Sequence, residues 1–338
     1  MDNRLEGLWQ WVTAILGKKP YEIVALSNDA SPRRYFALPR EGIVAVDTPL
    51  PTEQNVAFIN ISRTLHEYGL NVPQVFRHDL KPGYMLISDL GRRTYLSELT
   101  SITAHKLYGD ALSALKKLQE IPRDAFANHH LEVFDDSFVF RELRSWQEWF
   151  VEKYLQIELT SQEQTLLENT YRLLANNNAE QPQVLVHRDY HSRNLMICDH
   201  YNPGIIDFQD AVWGAVTYDL VSLLRDCYID WPPEQVGKWV ANFQQQLQDS
   251  KRIPAVSQEQ FLRWFDLMGV QRHLKALFIF ARLDLLYKKP GYLKDIPRTL
   301  SYVTAICKRY KELKDLAQFI RNKVMPAMPT EMKKVVSA

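Results

Sequence analysis

Three polar residues stand at spacings that suit one kind of chemistry. Asp189 and Asn194 lie five apart in the polar loop after the apolar run Val184–Val186. Asp207 ends a second apolar run, and Asp199-His200-Tyr201-Asn202-Pro203-Gly204 between them is rich in turn formers. The two runs therefore read as strands of a hairpin, which brings Asn194 and Asp207 to the same end. An Asp carboxylate and an Asn carbonyl are hard oxygen donors of the kind Mg²⁺ prefers. A further carboxylate, Asp189, would sit beside an attacking hydroxyl, orient it and take its proton. Phosphoryl transfer asks for little else beyond positioning and charge neutralisation.

Other groups offer weaker signals. His187 and His191 are four apart, but Arg188 rather than Glu follows the first and a strand precedes it, so a zinc-protease reading is set aside. Both read as bracing residues of the loop. Asp219 reads as a helix N-cap. Asp210, just past Asp207, reads either as part of the wall of a substrate pocket or as a solvated loop acid, and Trp213 either as a core residue or as an apolar platform for a substrate. Arg272, Lys275 and Arg282 recur at intervals of three and seven on a long apolar helix, roughly one face. They are either a solvated stripe or a site for a carboxylate, for which arginine is well shaped.

The elements that must position these groups divide in two. Up to about residue 93 the chain reads β-β-β-α-β-β: strands over Tyr21–Leu26, Arg33–Leu38 and Gly42–Asp47, a helix from Thr52 to near Gly69, then strands over Gln74–His78 and Tyr84–Ser88. Helical spacing dominates afterwards, over Ile102–Leu118, Phe138–Leu155, Glu163–Leu174, Phe261–Tyr287 and Tyr292–Phe319. Strand runs at 184–186, 195–198 and 204–207 form an island. The expected fold is α+β and two-lobed, with a small sheet lobe carrying one helix (1–93) and a larger, mostly helical lobe (94–338). A cleft near 88–94 is the expected ligand site.

Composition narrows the class. The chain has 338 residues, 46% hydrophobic and 24% charged, with 41 Lys+Arg against 40 Asp+Glu. Such balance argues against a nucleic-acid-coating protein, which needs a basic face. Three scattered cysteines with no CxxC pair argue against a disulfide framework and for a reducing compartment. With no basic-then-apolar start and no long apolar run, a cytoplasmic protein without membrane or nucleic-acid partners is expected. Oligomeric state is left open.

The motif His187-x-Asp189-x-x-x-x-Asn194, followed by Ile206-Asp207-Phe208, resembles the catalytic and metal loops of the protein-kinase-like superfamily. Asp189-x-His191-x-x-Asn194 is closer to its aminoglycoside phosphotransferase and choline kinase branch. So is the short path from Asp207 to Tyr218-Asp219-Leu220. Longer stretches resemble the bacterial anomeric sugar kinases, which phosphorylate N-acetylmuramate and N-acetylglucosamine at C1 during cell-wall recycling. These are Asp29-Ala30-Ser31-Pro32-Arg33-Arg34-Tyr35-Phe36, the run from Asp207 to Leu220, and Gln271-Arg272-His273-Leu274-Lys275 onward to Arg282.

The resemblance implies ATP and Mg²⁺ as cofactors, backbone groups of Ser88, Asp89 and Leu90 on the adenine edge, Asn194 and Asp207 on the metal, and Asp189 at the acceptor hydroxyl. One feature departs from it. The third strand, Ile43-Val44-Ala45-Val46-Asp47, lacks the usual lysine, so Arg33 or Arg34 is expected to supply the positive charge; strand neighbours face opposite ways, so only one can. Asp29-Ala30-Ser31 stands where a glycine-rich phosphate cover is usual. Rival readings are a kinase of an aminoglycoside, choline or similar amino alcohol, and a nucleotide-binding pseudokinase.

Overall fold

The computed structural model describes residues 2–26, 32–127, 131–330 and 332. The loop Asp29-Ala30-Ser31 lies outside them. The chain groups into two compact units, and neither is continuous in sequence: one comprises 1–131 with 193–211, the other 132–192 with 212–338.

The first unit opens with an element absent from the sequence reading, helix α1 (Asn3–Leu16). Asp2 caps it by accepting from the backbone N–H groups of Arg4 and Leu5, and Gly17, at φ 69°, closes it in the left-handed region. Its Leu8 and Val12 are fully buried against Leu38, Ala45 and Leu86 of the sheet. That sheet is antiparallel, in the order β1-β2-β3-β5-β4. The strands are β1 (Val24–Ala25), β2 (Arg34–Leu38), β3 (Ile43–Asp47), β4 (Val75–Asp79) and β5 (Tyr84–Ser88), with α2 (Thr52–Glu67) between β3 and β4. Gly83, at φ 78°, makes the turn into β5 possible, since a Cβ there would stand 2.1 Å from the Thr48 carbonyl oxygen. Beyond β5 the unit continues through α3 (Tyr95–Glu98) and α4 (Ala104–Glu120).

In the second unit, α5 (Asp136–Trp146) begins at its Asp135 cap and runs on through a π-helical stretch to Tyr154. A Thr160/Glu163 capping box starts α6 (Ser161–Ala179). Strand β6 (Gln183–Val186) follows. The chain then returns to the first unit for the hairpin β7 (Leu195–Met196) and β8 (Gly204–Ile205), antiparallel as the sequence pattern predicts. Both strands are shorter than expected, and pairing stops before Asp207, whose φ of 65° is left-handed.

Back in the second unit, an unanticipated strand, β9 (Val212–Ala215), pairs with β6. Helices α7 (Tyr218–Leu224), α8 (Pro233–Asp249), α9 (Gln258–Tyr287) and α10 (Ile296–Cys307) follow. α9 is buried along most of its length and packs on α5, α6, α7 and α10. The predicted helix over Tyr292–Phe319 is broken: a 3₁₀ turn precedes α10, which stops at Cys307, and a second 3₁₀ turn and α11 (Lys314–Phe319) complete the span. Among the described residues no helix is long and apolar enough to cross a membrane, and the three cysteines are free.

Candidate active site

In the second unit, β6 delivers the chain into the loop His187–Ser192, and buried carboxylates hold that loop by its backbone. Asp219, on α7 and fully buried, accepts from the N–H of His187 at 2.7 Å and of Arg188 at 3.0 Å. Asp226, also fully buried, accepts from the Ser192 N–H at 2.9 Å. Burial lifts the Asp219 carboxyl to about 6, against the pull of His187 and the two N–H donors. Arg188, at φ 76°, sends its guanidinium to Glu142 of α5 at 2.7 Å. His187 accepts from the Asp189 N–H at 3.3 Å, a bracing contact.

The Asp189 side chain stays one-third exposed, while the Lys275 ammonium beside it is 5% exposed and 3.1 Å from Oδ1. Burial works to raise the Asp189 pKa, but the charges of Lys275, Arg188 and Arg272 outweigh it and hold the carboxyl well below the usual range. Asp189 is therefore an ionised, weakly basic acceptor of hydrogen bonds. His191 packs edge-on to Tyr228, with ring centroids 5.2 Å apart, and burial pushes its pKa down to about 4. Arg272 is buried and donates to the Cys227 sulfur at 3.0 Å.

In the first unit, the β7–β8 hairpin brings Asn194 and Asp207 together. The Ile206 N–H donates to the Asn194 carbonyl at 3.0 Å, and the Asn194 amide lies 3.4 Å from Asp207 Oδ2. Gln209 donates to Asp207 Oδ1 at 2.7 Å. Phe208 is fully buried and stacks on Phe58 of α2, with centroids 4.9 Å apart. Arg33 lies over the other partner of that pair, 5.4 Å from the Phe58 ring centre, and is 5% exposed. Tyr35 joins the same group: burial raises its hydroxyl to about 12, Arg33 opposing and Asp207 assisting the rise.

Arg34 turns to the other face of β2, where its Nε meets Asp47 at 2.8 Å and its Nη1 pairs with Asp2. The alternation expected of strand neighbours thus separates the two arginines, and Arg33 is the one on the Asp207 side.

The remaining candidates are less gathered. The Ser88 hydroxyl accepts from the Gln74 N–H, and the Asp89 N–H donates to the Gly42 carbonyl. The Asp89 carboxylate caps Gly91 and pairs with Arg92. The Leu90 carbonyl receives the Cys198 thiol at 3.7 Å. Asp210 is exposed in a turn. Trp213 is half-buried on β9 opposite Leu185, its backbone bonded to Glu132 and Phe134. Arg282 is exposed over the Phe278 ring, apart from buried Arg272 and Lys275, so the three do not form one carboxylate site. The sequence reading missed Glu142 and Asp226, each of which stands beside an arginine and reads from the sequence as an ordinary surface acid.

Among the described residues no group of three or more His, Cys, Asp or Glu side chains could hold a metal. Asn194 and Asp207 alone offer two oxygen donors. That suits Mg²⁺, which binds one or two protein oxygens and takes the rest from water and phosphate.

The phosphotransferase enzyme family model matches residues 22–258 of this sequence. The chain belongs to that family. This phosphotransferase is 39% identical over 332 residues to an N-acetylmuramate/N-acetylglucosamine kinase of Pseudomonas putida, covering 94% of this chain and 96% of the relative. A Neisseria meningitidis protein of the same name is 37% identical, covering 91% and 92%. An ADP-bound aminoglycoside phosphotransferase shares the fold, with a TM-score of 0.61, 17% identity and coverage of 88% and 97%. A Streptococcus pneumoniae choline kinase does so at a TM-score of 0.61, 11% identity and coverage of 90% and 100%.

Proposed function

We propose that this chain transfers the γ-phosphoryl group of ATP to the C1 hydroxyl of N-acetylmuramate or N-acetylglucosamine, giving the sugar 1-phosphate for cell-wall recycling. The substrate rests on the relatives of that name, which match over nearly the whole chain. The observation that carries the reaction is the Asp189 carboxylate, kept ionised by Lys275 in a loop pinned by Asp219.

Asp189 orients the acceptor hydroxyl and takes its proton as the new P–O bond forms and the β–γ bridging oxygen leaves with ADP. A hemiacetal hydroxyl is more acidic than an ordinary alcohol, so a weak base suffices. Asn194 and Asp207 would hold Mg²⁺, which supplies neutralisation of the phosphate charge. Arg33 takes the place of the missing strand lysine. Ser88–Leu90 backbone groups meet the adenine edge. Lys275, Arg272 and Arg188 make the surroundings of Asp189 cationic, which disfavours aminoglycosides and choline as acceptors.

The test is ADP release with Mg²⁺ and ATP over a panel of N-acetylmuramate, N-acetylglucosamine, glucose, kanamycin and choline, with Asp189→Ala as control. Turnover of the N-acetyl sugars, lost in the variant, is expected. Turnover of kanamycin or choline alone overturns the substrate, and ATP binding without turnover of any acceptor points to a pseudokinase.

A further inference from the structure

Two helices hold the catalytic loop in different ways. α7 grips its backbone through Asp219, as described. α9 grips a side chain, since Lys275 Nζ stands 3.1 Å from Asp189 Oδ1. The Lys275 side chain is 5% exposed, and its ammonium lies 5.9 Å from the Tyr218 ring centre. A buried ammonium is costly unless paired, so the pair is not an incidental surface contact. Lysine loses much rotamer freedom on burial, yet here it is fixed with its head on one carboxylate oxygen. Other charged or titratable groups bearing on Asp189 include Arg188 and His191 on its own loop, Arg272 on α9, and Tyr218 and Asp219 on α7.

We infer that Lys275 is a positioning residue of the reaction: it holds Oδ1 of Asp189 and so fixes the direction in which the carboxylate meets the acceptor hydroxyl. This assignment deepens the proposed function and rests on the catalytic role given there to Asp189. During transfer the hydroxyl proton passes to the Asp189 carboxylate while the acceptor oxygen bonds to the γ-phosphorus and the bond to the β–γ bridging oxygen breaks. With Oδ1 fixed, the carboxylate cannot rotate away from the attack line. Small displacements of a catalytic group cost rate much more than they cost binding.

The experiment is a double-mutant cycle on the full chain with saturating Mg²⁺ and ATP. Lys275→Met is expected to lower kcat roughly 100-fold while leaving the sugar KM within about threefold. Lys275→Arg, which keeps a cation, is expected to recover most of that loss. In the Asp189→Ala background, Lys275→Met is expected to change kcat by less than about threefold, because the group it positions is gone.

A folded Lys275→Met protein with unchanged kcat overturns the inference. So does an effect of Lys275→Met that persists in full when Asp189 is alanine. The wild-type acceptor panel separates this from the proposed substrate. If only another acceptor turns over, the substrate assignment fails, and the cycle run with that acceptor still decides the role of Lys275.

Discussion

Asp47 and Arg34 stand directly opposite each other in the β2–β3 ladder, and the Arg34 guanidinium closes on the Asp47 carboxylate. Arg4 of α1 reaches the same carboxylate, its Nε 3.1 Å from Oδ1. Asp47 is thus fully buried as the anchor of α1. Replacing Asp47 with alanine leaves two guanidinium groups without their shared partner. Urea unfolding should register a loss of about 2 kcal/mol, with the KM for ATP little changed. A large rise in that KM with stability intact would show that Asp47 serves the nucleotide.

Arg33 and Arg34 should respond differently to removal. Arg33→Ala takes away the cation on the Asp207 side and should raise the KM for ATP by about tenfold or more. Arg34→Ala should act on stability through Asp2 and Asp47. Equal effects of the two on ATP use would contradict the facing that β2 gives them.

Asp219→Asn keeps one acceptor oxygen but turns an NH₂ group toward a backbone N–H. With Asp219 fully buried, the mismatch should cost roughly 3 kcal/mol. Loosening of the loop should lower kcat even where the protein remains folded. Calorimetry and steady-state kinetics on the same preparation would separate the two effects.

Acid should destabilise the protein before carboxylates are broadly protonated. His273 is 1% exposed, with Nε2 2.8 Å from the Arg225 carbonyl and its ring stacked on Tyr302. Burial, with help from Arg272, pushes its pKa down to about 3, and burial pushes His191 down to about 4. Both pKa values lie below the ordinary 6.5. Their contribution is therefore present above pH 6.5 and is lost as pH falls through that value toward 4. Asp219, raised to about 6, runs the other way over pH 4 to 6, but one carboxyl offsets only one histidine. The melting temperature should fall between pH 6.5 and 4, and His273→Gln should make the fall shallower. A flat profile in the wild type would exclude neutral, buried histidines.

What was legible in the sequence was local. Asp189, Asn194 and Asp207 follow from spacing within one strand–loop–hairpin stretch, and the hairpin formed as its turn residues suggest. The resemblance to kinases supplied the roles. The Lys275–Asp189 pair was hidden because its partners are 86 positions apart, and no periodicity reports on such a distance. α1 went unread although Asp2 and Gly17 mark both its ends and Leu5, Leu8, Trp9, Val12 and Leu16 recur at helical spacing. Arg282 misled for a different reason: a shared helix face says nothing about where along its length that face leaves the core.

The discontinuity of the first unit constrains how the chain is made. On the ribosome its sheet emerges early, but the β7–β8 segment, whose Ile205 N–H binds the Asn71 carbonyl and whose Ile197 N–H binds that of Arg93, arrives only after α5, α6 and β6 have been synthesised. The Asn194–Asp207 pair is thus added to the earlier-made part of the first unit by a late insertion. A fragment ending at residue 131 would lack those partners, so the first unit cannot be excised as one contiguous gene segment and keep Asn194 and Asp207.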